Sequence, residues 1–89
     1  MIRQLHLGRL LITPAARDTL DPADVMVALR RHAQCDWGDL CPEDRQEHEY
    51  SLANDCRILS SYCDRNSVKF WIITERDRSA TTILLPDDY

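Results

Sequence analysis

The chain has two glycines in 89 residues, which excludes the glycine-rich loops that cradle phosphate groups in nucleotide-binding proteins. G-x-S-x-G, H-E-x-x-H and P-loop patterns are missing as well, so the commonest hydrolase, metalloprotease and nucleotide-hydrolase chemistries have no anchor here. No apolar run approaches the roughly 20 residues of a membrane helix. The N-terminus MIRQLHLGRLLIT is broken by His6 and Arg9 and has no continuous apolar core of a secretory leader, so the expected location is cytoplasmic. Long charge blocks, repeats and low-complexity tracts are absent too, leaving a single small domain spanning 1–89.

The net charge of -4 argues against direct, non-specific binding to nucleic acid, which needs a clustered cationic excess. Acidic residues gather in the middle of the chain, at Asp36, Asp39, Glu43, Asp44, Glu47 and Glu49, and again at Asp87 and Asp88. Arg57, Arg65, Lys69, Arg76 and Arg78 fall in the last third. Such a bipolar surface suits a basic partner on its acidic side.

Four cysteines, Cys35, Cys41, Cys56 and Cys63, are spaced C-x5-C-x14-C-x6-C, without the short C-x2-C knuckles of common zinc ribbons. His32 and His48 lie near the first pair, but reduced, mostly buried thiols are the simpler reading, and no metal or cofactor is expected.

Local patterns place the elements. Leu5 to Ile12 reads as a strand with Gly8 loosening or bulging it, and Thr13-Pro14 can cap a short helical turn reaching Leu20. Asp21-Pro22, with Asp24 in the first turn, starts a clearer helix whose stripe is Val25, Met26, Leu29 and His32/Ala33 and whose last turn holds Arg30 and Arg31. Pro42 to about Asn54 reads as a second, surface helix, with Trp37 as a lid in the loop before it. RILSSY, VKFWIIT and ATTILL then read as three strands joined by the polar segments 63–67 and 75–79. The expected fold is α+β, in the order β-α-α-β-β-β, with two helices on one face of an antiparallel sheet.

The segments Leu7-Gly8-Arg9 through Thr13-Pro14, Arg31-His32 with Asp36-Trp37-Gly38, and the run from Trp71 to Tyr89 resemble short bacterial proteins of plasmids and integrative elements. That resemblance implies a mobile-element context. Together with the acidic surface it leads to the first expectation, a protein-interaction module that inhibits or modulates host defence in the manner of an anti-CRISPR protein. Its contacts would be Asp36, Trp37, Asp39, Glu43, Asp44 and Glu47, and its partner a protein, such as a basic nucleic-acid-binding host complex.

The element order is also similar to RelE/ParE-type toxins and barnase-like nucleases. This similarity leads to the alternative, a metal-independent ribonuclease drawing on Arg57, Lys69, Thr74, Arg76 and Thr82 for base, acid and phosphate-binding roles. Ordinary strand threonines and solvated loop arginines explain the same residues without any activity. A third reading is a structural or dimerising module that pairs through an exposed sheet edge.

Overall fold

The computed structural model describes residues 5–34, 36 and 57–89. The expected helix from Pro42 and the lid residue Trp37 lie outside them. Strand β1 spans Arg9–Ile12, helices α1 and α2 span Pro14–Thr19 and Pro22–Ala33, and strands β2, β3 and β4 span Ile58–Cys63, Lys69–Thr74 and Ala80–Leu84. The fold is α+β, and its four strands stand in the order β1-β4-β3-β2.

The three C-terminal strands form an antiparallel meander, with Ile72 opposite both Ser60 and Ile83. The sheet as a whole is mixed rather than antiparallel, because β1 lies parallel to β4 with Leu10 beside Thr81 and Ile12 beside Ile83. Among the described residues helices α1 and α2 intervene between β1 and the meander, and a long crossover is what permits parallel pairing. The first strand is also shorter than its apolar pattern suggests. Gly8 takes φ +64° immediately before it, a left-handed turn that separates Leu5 to Leu7 from the strand proper.

Both helices begin as their sequences dictate. The Thr13 hydroxyl accepts from the Ala16 N–H at 3.2 Å, and the Asp21 carboxylate accepts from the Ala23 N–H at 2.9 Å, each followed by proline at the first helical position. Asp24 then ties α2 to the β2–β3 turn by accepting from the Arg65 backbone N–H at 2.8 Å and its guanidinium at 3.0 and 3.2 Å. These bonds hold the Asp24 carboxyl below the usual carboxylate range. Asp64, itself buried, closes that turn by accepting from the Asn66 and Val68 N–H groups at 2.9 and 3.0 Å.

Alternation along the strands sends Ile58, Ser60 and Tyr62, Phe70, Ile72 and Thr74, and Thr81 and Ile83 to one face, where all are buried. Ala16, Leu20, Val25, Ala28 and Leu29 of the helical layer close over this face to make the core. Met26, expected in the buried stripe, is 58% exposed. It sits on the flank of α2, one residue from Val25, and faces the outside of the α1/α2 junction. On the opposite face Ile73 and Leu84 are buried, and the Trp71 ring meets Tyr89 edge-on at 5.8 Å. Tyr89 follows a 3-10 turn at Pro86–Asp88 that brings the C-terminus back over β3.

Candidate functional site

The residues proposed from sequence for phosphate chemistry do not gather. Thr74 is fully buried on the helix-covered face, whereas Thr82 belongs to the other face. Lys69 begins β3 opposite Cys63, at the far end of the strand from Thr74 and the Arg76 turn. Thr74 lies five residue steps along the strand from Lys69, about 17 Å at strand rise. Arg57 is committed to the C-terminus: its guanidinium lies 5.4 Å over the Tyr89 ring and donates to the Tyr89 hydroxyl. Of the expected partner-binding set only Asp36 is described, and Trp37, Asp39, Glu43, Asp44 and Glu47 lie outside the described residues. Asp36 is paired with Arg31 through two bonds of 2.9 and 3.2 Å, and its carbonyl accepts from the Tyr62 hydroxyl.

One side-chain constellation has the look of nucleophilic chemistry. His32, in the last turn of α2, places Nδ1 2.5 Å from Ser60 Oγ and Nε2 2.8 Å from Thr74 Oγ1. Thr74 Oγ1 lies 2.7 Å from Thr81 Oγ1, which donates to the Leu7 carbonyl at 2.7 Å. Each hydroxyl has one hydrogen, so the order of donors is fixed from the far end. Thr81 gives its proton to Leu7, Thr74 gives to Thr81, and His32 Nε2–H gives to Thr74. In the neutral ring Nδ1 is left to accept from Ser60. A serine beside a histidine base is a nucleophile only when substrate can reach it. Ser60, Thr74, Thr81 and His32 are each 0% exposed, so this chain is a polar spine joining α2, three strands and the N-terminal segment. From the sequence, Thr74 reads as a site residue and His32 as part of the helix stripe. The common parity of Ser60, Thr74 and Thr81 on the helix-facing side was the signal that joins them.

Among the described residues no three His, Cys, Asp or Glu side chains come together as a metal site. No helix among them is long and apolar enough to cross a membrane. Cys63 is an exposed thiol, one of the four cysteines considered above.

Of the two edge strands, β1 and β2, β1 is the one whose residues are all exposed. Leu10, Leu11 and Ile12 retain 53%, 43% and 40% of their surface. The Arg9 and Thr13 N–H groups donate to Ser79 and Ile83 carbonyls of the β4 side at 2.9 and 3.0 Å. Alternation therefore turns the N–H and C=O of Leu10 and Ile12 away from β4, with no strand beyond them among the described residues. Beside this edge, Ile12, Ala16, Leu20, Pro22, Val25 and Met26 line an almost wholly apolar groove of about 190 Å³, with Arg17 at its rim. β1 is short and begins at the charged Arg9, but Leu10, Leu11 and Ile12 bring no lysine, proline or inward charge to blunt the edge. The apolar run predicts a strand here but not its place in the sheet. It could not assign the outer position of β1, which depends on a pairing across about seventy residues of chain.

No family model, curated protein or solved structure matches this chain.

Proposed function

We propose that this protein is an interaction module that binds an extended protein segment by strand addition to the free edge of β1. The carrying observation is the pair of outward-facing backbone units at Leu10 and Ile12, flanked by exposed apolar side chains and the α1/α2 groove. Main-chain bonds supply the affinity in this binding mode, and a side-chain pocket next to the strand supplies selectivity. A partner with alternating apolar residues would fill the groove lined by Ile12, Leu20 and Met26 with one side chain. The activity expected from resemblance, an inhibitor of host defence, is compatible with this binding mode. Its support lies in the sequence resemblance and the acidic 36–47 segment.

A labelled peptide of sequence Gly-Arg-Leu-Leu-Ile-Thr, copied from residues 8–13, provides a direct probe. Its fluorescence anisotropy should rise on titration with dilute protein. Ile12→Pro deletes one outward N–H without touching the bonds to β4, and should weaken that binding at least about tenfold with the circular dichroism spectrum retained. Equal binding by the two proteins would refute strand addition at this edge.

A further inference from the structure

Resting on this reading of the edge, we infer that the natural occupant of β1 is a second copy of the same chain, paired antiparallel about a two-fold axis through Leu11.

The register follows from where the free groups stand. Leu10 and Ile12 face outward, two residues apart, with Leu11 between them. Placing Leu11 opposite the partner's Leu11 sets Leu10 against the partner's Ile12, and Ile12 against the partner's Leu10. Each of these is a hydrogen-bonded pair of an antiparallel ladder, in which both N–H and C=O groups are exchanged. All the outward donors and acceptors of both edges are then satisfied at once. Pairing ends at Pro14, which has no N–H and turns the chain into α1.

Side chains agree with the same register. Leu10 and Ile12 share the helix-covered face with Thr81 and Ile83, so both copies bring their α1/α2 grooves and Met26 toward a common apolar strip. Leu11 meets the partner's Leu11 on the other face, at the close spacing of a non-hydrogen-bonded pair. Charge is complementary as well. Arg9 is exposed and forms no ion pair with a described residue. In this register it stands opposite the partner's Thr13. In each copy the Thr13 hydroxyl donates to Asp88 at 2.7 Å, which anchors a carboxylate at that point of the edge. Two-fold symmetry therefore sets each Arg9 beside the partner's Asp88, one ion pair at each end of the ladder, and no like charges face each other between residues 9 and 13 of the two strands. An isologous interface requires this kind of self-complementarity, which an unrelated segment would match only in part.

Sedimentation of the full chain over a wide concentration range tests the inference. The wild-type protein should pass from monomer to dimer mass as concentration rises. Leu11→Lys and Leu11→Glu each oppose like charges on the axis, and each should raise the dimer dissociation constant at least about tenfold. An equimolar mixture of the two should recover a dimer, because lysine then faces glutamate. A monomer at every concentration would overturn the inference, as would a dimer indifferent to both substitutions. In either case peptide binding that persists in the anisotropy assay shows that the edge accepts strands and that the second copy alone was wrong, whereas its loss removes both readings.

Discussion

His32→Ala should lower the stability of this domain by about 3–5 kcal/mol. The imidazole is completely buried, so truncation leaves a cavity where α2 meets the sheet. It also leaves the Ser60 hydroxyl without the ring nitrogen it donates to at 2.5 Å, and removes the N–H that Thr74 accepts at 2.8 Å while Thr74 keeps its bond to Thr81. A buried hydroxyl without a partner costs about 1–3 kcal/mol, which adds to the loss of packing. For a domain of this size the melting temperature should fall by roughly 15–30 °C. His32→Phe separates the two contributions. It refills the space but restores neither hydrogen bond, so it should recover only part of the loss. Urea unfolding of the three proteins measures this directly, and a change below about 1 kcal/mol for His32→Ala would show that the spine contributes little.

Gly8→Ala should cost about 2–4 kcal/mol for two separable reasons. Gly8 has φ +64°, a left-handed conformation that disfavours any side chain. A Cβ placed there would also lie 2.4 Å from the Arg78 carbonyl oxygen and 2.5 Å from that of Ser79, both of them backbone atoms. Ser79 is the acceptor for the Arg9 N–H, so relieving the clash pulls apart the first bond between β1 and β4. Gly8→Asn distinguishes the causes. Asparagine tolerates the left-handed region but has the same Cβ, so it should be nearly as damaging as alanine if the close approach dominates. A much milder asparagine variant would place the cost in the dihedral instead. Either substitution should loosen β1 before the meander, because β1 is held on one side only.

Where local chemistry decides a structure, it could be read from the residues. The β3 alternation of Phe70 and Ile72 against Lys69 and Trp71 locates a central strand to within a residue, and Thr13-Pro14 and Asp21-Pro22 start helices where caps and prolines require. The rest has a different origin. Apolarity alone cannot tell a central strand from an edge, so the run at Leu10, Leu11 and Ile12 predicts a strand without showing that it lies on the surface. Met26 was counted with Val25 and Leu29 because helical spacing gives a stripe but not its width. The polar spine depends on residues 28 and 42 positions apart meeting at one ring, which no single-segment pattern contains. The candidate site was legible as a type, an exposed sheet edge, and became specific only when the pairing of β1 with β4 showed which backbone groups remain outward.

Amide hydrogen exchange resolved residue by residue at Leu10 and Ile12 puts the account to its most direct test. In dilute protein these two N–H groups should exchange fast while those of Leu11 and Thr13, directed toward β4, are slow. At high concentration or with the Gly-Arg-Leu-Leu-Ile-Thr peptide bound, Leu10 and Ile12 should slow at least about tenfold and approach their neighbours. Fast exchange at both positions under every condition, with Leu11 still protected, would contradict the assignment of β1 as the binding edge.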